Sequence, residues 1–367
     1  MYHYKYIIKS VVDYCISQEG FFYIIKDDVS GAVFFEACDG SKKKILDLNS
    51  PYRKEYGDED KLKLFGNKLV ISKHYSTQTF LYDISTNKIT ELSYTFFCLA
   101  EGRNNNLNAC TARIKGDDEV YGVFDMEAVS FAKTIVDEEL PNGIWRLNEK
   151  YILSRGFKQY FPNKECLLVY DYSLNLIWQS EDLSEIGRYE GLSKEKPGEI
   201  KCIQIYDTNK VIVAAGSVMI CYDLASGQKK WQLKIDQKNS KIKRFGAQLI
   251  IDGNIGYNCE GGYFYHKIDL AYGKFISDGV ILNEIVVDGQ SLAMYNEEAC
   301  NFVLYADLLW LSFCKSAVCM LLAINPETGE YVWQKRFEGM RWISEPQFHA
   351  DKMFILSNEG LLIHERV

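Results

Sequence analysis

Apolar and polar residues alternate along most of this chain in short runs, each closed by an acidic or amide residue and a glycine turn. The two clearest copies occupy residues 220–231 and 322–333, and the first contains Asp223, Gly227 and Trp231. A period of two predicts β-strands, and a Ser-Gly or Thr-Gly pair supplies the positive φ that a tight reversal needs. The pattern therefore predicts antiparallel hairpins. Its return about every fifty residues indicates a repeat architecture.

The residue that closes the strand before each turn marks successive units. Seven such positions follow one another at spacings of 42 to 56 residues: Glu36, Asp83, Asp125, Asp171, Asp223, Asp269 and Asn325. His364 stands 39 residues after the last one, in a segment with two further predicted strands. The segment from Tyr4 to Lys9 also alternates, and pairing it with the segment from Gly360 to Val367 completes an eighth unit and removes exposed sheet edges. We therefore predict an all-β, closed eight-bladed β-propeller forming one domain over residues 1–367, with seven blades as the alternative.

The order of Asp or Asn, Ser-Gly or Thr-Gly and Trp in residues 220–231 and 322–333 resembles the pyrroloquinoline-quinone-type repeat of β-propellers. The resemblance implies that the large aromatic residues pack between neighbouring blades. Members of that superfamily include quinone-dependent dehydrogenases, which use adjacent cysteines and a calcium site; this sequence has no adjacent cysteine pair. The resemblance thus implies a non-enzymatic member without a cofactor. WD-type repeats are the rival sheet-forming repeat, but no Gly-His and Trp-Asp signature occurs.

Charge and hydropathy narrow the classes of partner. Lys and Arg number 42 against 50 Asp and Glu, which gives a net charge of −8 with neutral histidines. This excess disfavours nucleic acid and anionic membranes and favours a protein partner with a basic surface. The most apolar stretch, residues 302–324, is interrupted by Asp307 and Lys315, and residues 1–9 lack the apolar core of a signal peptide. We therefore expect a cytoplasmic protein.

The cysteines, histidines and aspartates are not spaced as in known catalytic or metal-binding motifs. The eleven cysteines include no C-x-x-C, and the five histidines form neither H-x-x-x-H nor H-E-x-x-H. We expect mostly reduced thiols, with Cys38 among those buried in apolar strands, and a hairpin flanked by Cys314 and Cys319. The repeated aspartates precede turns, where a side-chain carboxylate accepts backbone hydrogen bonds. We therefore predict no catalytic residue and no metal site.

Candidate binding residues lie where the repeat lengthens, because extra residues leave the sheets as loops. Three connections qualify, at residues 50–60, 180–199 and 278–307. In a propeller the second of these shares one face with residues 157–162. Tyr and Arg amid acidic residues are typical of protein-binding hot spots. The predicted partner-binding residues are Tyr160, Phe161, Asp182, Glu185, Arg188 and Tyr189.

Two classes of function remain open from the sequence. The leading hypothesis is a non-catalytic propeller that binds another protein, for example an immunity protein that masks a basic toxin domain, or a scaffold subunit of a larger assembly. The alternative is a glycosidase-type or lyase-type enzyme that acts on a sugar or small metabolite in the central channel. That enzyme would need two carboxylates about 5–9.5 Å apart at the channel mouth, and no linear motif indicates such a pair.

Overall fold

The computed structural model describes residues 2–366 with these exceptions: 28–29, 49–60, 73–78, 93–103, 106–108, 115–119, 137–143, 148–149, 157–164, 174, 192, 261–263, 282–284, 288–289, 293–300 and 316–317. Eight sheets of three to five strands follow one another along the described residues, with two two-stranded hairpins between them, and all their strand pairs except one in the second sheet are antiparallel. Strand β1 (Tyr2–Lys9) comes first in the chain but pairs with the last strand. Among the described residues, no helix has the length and apolar character needed to cross a membrane.

The first four sheets use consecutive strands. Sheet 1 contains β2 (Val11–Ile16), β3 (Gly20–Lys26), β4 (Gly31–Ala37) and β5 (Lys42–Leu48). Sheet 2 contains β6 (Lys61–Phe65), β7 (Lys68–Ser72), β8 (Thr79–Asp83) and β9 (Lys88–Leu92), with β10 (Asn104–Asn105) parallel to β6. Sheet 3 shows three strands within the described residues, β11 (Ala109–Ile114), β12 (Val120–Asp125) and β13 (Ser130–Val136). Sheet 4 contains β14 (Ile144–Leu147), β15 (Tyr151–Gly156), β16 (Cys166–Asp171) and β17 (Leu176–Gln179).

The second half follows the same order after helix α1 (Leu183–Ile186) and the hairpin of β18 (Tyr189–Glu190) and β19 (Glu195–Lys196). Sheet 5 contains β20 (Ile200–Tyr206), β21 (Lys210–Ala215), β22 (Val218–Asp223) and β23 (Lys229–Lys234). Sheet 6 contains β24 (Gln248–Asp252), β25 (Ile255–Glu260), β26 (Phe264–Asp269) and β27 (Lys274–Ile281), and a hairpin of β28 (Ile285–Val287) and β29 (Gln290–Leu292) follows. Sheet 7 contains β30 (Val303–Tyr305), β31 (Leu308–Lys315), β32 (Val318–Ile324) and β33 (Tyr331–Glu338). Sheet 8 contains β34 (Gln347–His349), β35 (Lys352–Ser357), β36 (Gly360–Arg366) and β1.

The antiparallel order gives each sheet two distinct ends. The turn between the second and third strands and the connection to the next sheet lie at one end, which we call the loop face. The turns between the first and second strands and between the third and fourth strands lie at the other end, which we call the turn face.

The predicted role of the strand-end aspartates as turn formers is confirmed. Asp125 Oδ1 accepts hydrogen bonds from the N–H groups of Glu127 at 2.8 Å and Ala128 at 3.0 Å. Asp223 Oδ1 accepts one from Ser226 N at 3.0 Å, and the turns at Asp83, Asp171, Asp269 and Asn325 use the same type of contact. These side chains satisfy backbone donors that the reversal would otherwise leave unpaired.

Two tryptophans connect consecutive sheets through the turn of the next repeat. Trp178 Nε1 of β17 donates to Leu224 O at 2.7 Å, and Trp231 Nε1 of β23 donates to Leu270 O at 2.8 Å. The second indole lies on Gly273, which has φ +62° and where an added Cβ would come within 2.5 Å of the ring. The positive φ and the contact with the ring both require glycine here.

Apolar side chains fill the spaces between sheets. Seven buried clusters each combine residues from two consecutive sheets, including one between sheet 8 and sheet 1 that contains Tyr14 and Phe354. The remaining neighbours, sheets 3 and 4, meet where β11 contacts β14. Every described sheet therefore contacts the sheets before and after it.

The two terminal segments pair as predicted. Strand β1 runs antiparallel to β36 from the pair Tyr2 and Arg366 to the pair Lys9 and Gly360. Tyr6 of β1 also donates its hydroxyl proton to Glu36 Oε1 of sheet 1 at 2.7 Å. The N-terminal strand thus completes sheet 8 and attaches it to sheet 1.

Two expectations about cysteines need revision. Cys314 and Cys319 flank the hairpin of β31 and β32 as predicted, but they are joined by a disulfide. Cys38 was expected inside a strand, yet it follows the end of β4 in the turn before β5 and is exposed. The apolar residues before Cys38 belong to β4, whereas Asp39 and Gly40 after it begin the reversal.

We predict that Gly273→Ala destabilises the protein more than Gly253→Ala. Both glycines have positive φ, but an added Cβ meets Trp231 only at Gly273, whereas nothing lies within 4 Å of it at Gly253. Each substitution should cost about 1–2 kcal/mol for the backbone conformation. Gly273→Ala should cost about 1–3 kcal/mol more because it crowds the indole. Urea unfolding measures both variants, and equal losses would contradict the role of the Trp231 contact.

Deleting residues 1–9 should abolish cooperative unfolding, because it removes β1 and exposes the edge of β36. Lys5→Ala is the matched control, since it leaves β1 in place and removes only the exposed ion pair between Lys5 and Glu365 of β36. Thermal unfolding followed by circular dichroism compares the two proteins. A deletion variant that melts like the full chain would disprove the structural role of β1.

His364 of β36 is fully buried, and neither ring nitrogen has a hydrogen-bond partner among the described residues. Its ring lies 5.7 Å from that of Tyr4 and 5.9 Å from that of Phe337. Desolvation, assisted by the positive charge of Lys335, lowers the pKa of His364 from 6.5 to about 4. The folded protein therefore holds this histidine neutral.

We predict that His364 makes the protein less stable in mild acid. Between the unfolded pKa of 6.5 and the folded pKa of about 4, the unfolded state binds more protons, so stability falls as the pH falls through this window. The loss from His364 should be about 2 kcal/mol between about pH 7.5 and about pH 5. His364→Phe should remove this component from urea unfolding measured at both pH values. An unchanged pH dependence in the variant would show that other groups cause it.

Candidate protein-binding face

The connection between sheets 4 and 5, residues 180–199, lies on the loop face and contains α1 and the β18–β19 hairpin. Leu183 of α1 is fully buried in the apolar cluster that joins sheets 4 and 5. Tyr189 pairs with Lys196, and Glu190 pairs with Glu195, in the hairpin. The connection is therefore anchored by a side chain and by backbone pairing.

Asp182, one of the predicted binding residues, holds this connection in place. Its Oδ1 accepts hydrogen bonds from Ser184 N at 3.0 Å and Ser184 Oγ at 2.7 Å, which caps α1. The same oxygen accepts a hydrogen bond from Glu165 N at 3.1 Å. Asp182 thus joins the loop to the start of β16, and its replacement would disturb the loop itself.

Close backbone contact holds the connection against sheet 5. A Cβ at Gly187 would lie 2.3 Å from Ala215 O, and a Cβ at Gly198 would lie 2.5 Å from Leu183 O. The carbonyl of Gly187 accepts a hydrogen bond from Ser217 N at 2.9 Å, and Gly198 N donates to Ser184 O at 2.8 Å. Only residues without side chains allow backbones this close. The loop is consequently pressed onto the β21–β22 turn.

Glu185 and Arg188 form a two-pronged ion pair on the exposed side of the loop. Arg188 Nε donates to Glu185 Oε2 at 3.0 Å, and its NH2 group donates to Glu185 Oε1 at 2.7 Å. The hydrogen bonds from Arg188 lower the pKa of Glu185. Arg188 also lies 3.5 Å from Glu195 Oε2. Two carboxylates thus share one guanidinium, and the cluster keeps a negative charge.

A second loop, residues 236–244, packs beside the first. Gln237 accepts a hydrogen bond from Glu190 N at 2.9 Å and donates one to Lys243 O at 2.8 Å. Lys243 forms an ion pair with Glu190 at 3.1 Å. This loop carries Lys238, Lys241, Lys243 and Arg244, so a basic strip borders the acidic one.

A buried ion pair supports the inner end of the 180–199 connection. Arg155 of β15 binds Glu165 through Nε at 2.9 Å and NH2 at 2.8 Å, and it binds Glu199 at 3.0 Å. Burial opposes the guanidinium charge, but hydrogen bonds to both carboxylates raise the pKa of Arg155. These bonds fix the point where the loop enters β20.

The structure brings four of the six predicted binding residues together on one connection. Asp182 caps α1, Glu185 pairs with Arg188, and the ring of Tyr189 lies against Gly216. Tyr160 and Phe161 lie outside the described residues. Gly156 and Glu165 flank the segment that contains them, and Glu165 bonds to Asp182. The predicted place of Tyr160 and Phe161 beside the loop stays a prediction.

The contribution of residues 236–244 was not predicted from the sequence. The spacing from Asp223 to Asp269 is 46 residues, which is close to the average repeat, so length alone gave no signal there. The four basic residues between positions 238 and 244 were the available signal of a charged surface loop. The paired glycines at 187 and 198 were a second one, because glycines that flank a charged loop indicate close backbone approach.

No protein-family model matches this sequence, and no curated protein matches it. Among solved structures the fold is similar to that of BamB from Moraxella catarrhalis, with a TM-score of 0.57, 9% sequence identity and 100% of both chains covered. It is also similar to the computationally designed Ika8 protein, with a TM-score of 0.54, 11% identity, and 98% of this chain and 96% of that chain covered. In all, 986 chains of solved structures match, and a fold so widely shared does not define an activity.

This chain is therefore an all-β protein of the β-propeller class. The class agrees with the prediction from the repeat of aspartate, glycine turn and tryptophan. The assignment to a non-enzymatic member stays a prediction. The fold alone does not test this assignment, because one fold hosts many unrelated activities.

Proposed function

We propose that this protein is a closed eight-bladed β-propeller that binds another protein through its loop face and catalyses no reaction there. The order of the eight sheets supports this blade count, and the packing of sheet 8 on sheet 1 supports ring closure. In the alternative with seven blades, the N-terminal segment would be a tail outside the ring. The pairing of β1 with β36 argues against that arrangement.

The observation that carries the binding proposal is the preordered 180–199 loop. Its shape is held by the Asp182 cap, by the glycine contacts with sheet 5 and by Gln237. A surface loop that is already ordered loses little conformational entropy when a partner docks. It also presents Arg188 and Tyr189, residue types that are enriched at protein-binding hot spots.

The partner in this proposal has a basic surface. Residues 180–199 contain six acidic and three basic residues. The carboxylates of Glu185 and Glu195 are 61% and 63% exposed and share a single guanidinium, which leaves a negative cluster. The net charge of −8 supports a partner other than nucleic acid or an anionic membrane.

Within this class we favour a cytoplasmic immunity protein that masks a basic toxin domain. The alternative within the class is a scaffold subunit of a larger assembly. The two differ in a measurable way, because an immunity protein forms a tight binary complex that abolishes the partner's own activity. A scaffold subunit leaves that activity intact and recruits further chains.

Replacing Glu185 and Glu195 with lysine should slow partner association by about tenfold and weaken its salt dependence, because charge complementarity acts mainly on encounter. Glu330→Lys is the matched control, since Glu330 is an exposed carboxylate in the β32–β33 turn on the turn face. Glu195→Lys alone serves as a second variant that retains the Glu185–Arg188 pair.

The measurement begins with affinity capture from the native host, using wild type, the control and the variants as bait. Proteins retained by wild type and Glu330→Lys but lost by the double variant are then purified and measured by surface plasmon resonance. Melting temperatures establish that each variant is folded. Equal binding by the double variant and the control would remove the loop face as the site. Turnover of a sugar or metabolite by the purified protein alone would favour the enzyme alternative.

A further inference from the structure

Cys38 differs from the other free cysteines whose surroundings the structure describes. It is exposed, whereas the rest of that set is buried: Cys15, Cys166, Cys202, Cys221 and Cys259. Burial raises the pKa of the Cys221 thiol to about 11 and raises that of Cys259. A thiol held protonated in an apolar interior is a poor nucleophile. Reactivity among these described cysteines is therefore concentrated at Cys38.

An imidazole lies next to the Cys38 thiol. Cys38 Sγ is 3.6 Å from His349 Nε2, a hydrogen-bond distance for sulfur. Cys38 lies in the β4–β5 turn and His349 ends β34, so the meeting of sheets 1 and 8 brings together residues 311 positions apart. The N–H of Cys38 donates to Glu19 O at 3.0 Å, which fixes the backbone beside the thiol.

His349, which contacts the Cys38 thiol, lines a cavity on the turn face. The cavity has a volume of about 840 Å³, and His349 is part of its wall. It reaches from the β2–β3 turn to the β6–β7 turn and to the first strands of sheets 7 and 8. Its aromatic wall is Phe348, which stacks on Tyr305 at 4.0 Å between ring centroids. The volume lies within the range of small-molecule sites.

The cavity carries charges of both signs. The residues that line it include two acidic residues, Glu19 and Glu345, the basic residue Lys63, and the amide residues Gln18 and Gln347. A ligand that fits this lining bears both ammonium and carboxylate groups together with peptide-like hydrogen-bonding atoms. Small zwitterionic peptides meet these requirements, whereas an apolar molecule would leave the charged groups poorly solvated.

We propose that Cys38 and His349 form a thiol–imidazole pair that undergoes thiol–disulfide exchange with a small zwitterionic disulfide bound in this cavity. His349 accepts the thiol proton, and the Cys38 thiolate attacks one sulfur of the ligand disulfide. A bond between Cys38 Sγ and that sulfur forms while the ligand S–S bond breaks. The departing thiolate takes the proton from His349. Cys38 is oxidised to a mixed disulfide, and half of the ligand is reduced to a thiol.

Charged groups surround the pair. Asp39 follows Cys38 directly, and a hydrogen bond from Ser41 N lowers the pKa of its carboxyl, so this neighbour is an anion. Glu19 lies on the adjoining turn, and Lys352 is paired with His349 across the β34–β35 turn. An imidazole that has taken the thiol proton carries a positive charge beside the sulfur.

The proposal is tested on the full-length, reduced protein with glutathione disulfide as the probe. Peptide mapping by mass spectrometry should find the mixed disulfide on Cys38, and Cys38→Ser should eliminate that adduct. His349→Gln and His349→Phe should slow its formation by about tenfold or more, because they remove the base. Cys221 is the internal control and should react only after denaturation. The circular dichroism spectra of all variants should match that of wild type.

The role of the cavity is tested by the dependence of the rate on the disulfide. The rate with glutathione disulfide should saturate and should fall in Lys63→Gln, whereas the rate with the uncharged 4,4′-dithiodipyridine should be unaffected by Lys63→Gln. A reaction at Cys38 no faster than that of N-acetylcysteine, or equal rates in wild type and both His349 variants, would overturn the proposal. A strictly linear dependence on glutathione disulfide would overturn its binding in the cavity. Because the site is on the turn face, none of these results bears on the loop-face proposal.

Discussion

The contact between an indole and the glycine turn of the next sheet sets the spacing from sheet 4 to sheet 5 and from sheet 5 to sheet 6. Trp231 supplies a hydrogen bond to a carbonyl, a large apolar face and a fixed distance from Gly273. One sheet cannot bury both of its faces alone, so its position must be set by a neighbour. The indole does this at the outermost strand, while the apolar clusters do so nearer the inner strands. The same residues that form the turn therefore also determine the spacing between sheets.

This dependence on neighbours leaves the first and last sheets as the weak point. The strand that β36 lacks comes from the other end of the chain, so closure of sheet 8 brings together residues separated by nearly the entire sequence. Such pairing is costly in loop-closure entropy. His364 lies in this last strand, buried without a hydrogen-bond partner among the described residues. The stability of the closing sheet is thus tied to a neutral histidine.

The parts of the fold that could be predicted from the sequence are those with a local cause. The strand-end aspartates and the turn glycines act within a few residues, so Asp223 and Gly227 predicted their hairpin correctly. The predicted burial of Cys38 was wrong because the apolar alternation does not show where the strand ends. Cys38 follows the last residue of β4, and its exposure is set by the turn. The disulfide of Cys314 was missed because a hairpin places two thiols opposite each other without fixing their oxidation state. Contacts between distant segments, such as Cys38 with His349, leave no linear pattern at all.

The two faces differ in what their charged groups are able to do. On the loop face the principal charges are already paired, as in the bidentate contact of Arg188 with Glu185, and they hold a shape. Paired, exposed groups of this kind contribute little to stability but define an ordered electrostatic pattern for a partner to meet. On the turn face a thiol and an imidazole meet beside a cavity with charged walls. Paired, ordered charges suit the recognition of a protein surface, whereas a thiol beside an imidazole suits reaction with a small molecule. Because successive strands are antiparallel, the two arrangements lie at opposite ends of the sheets.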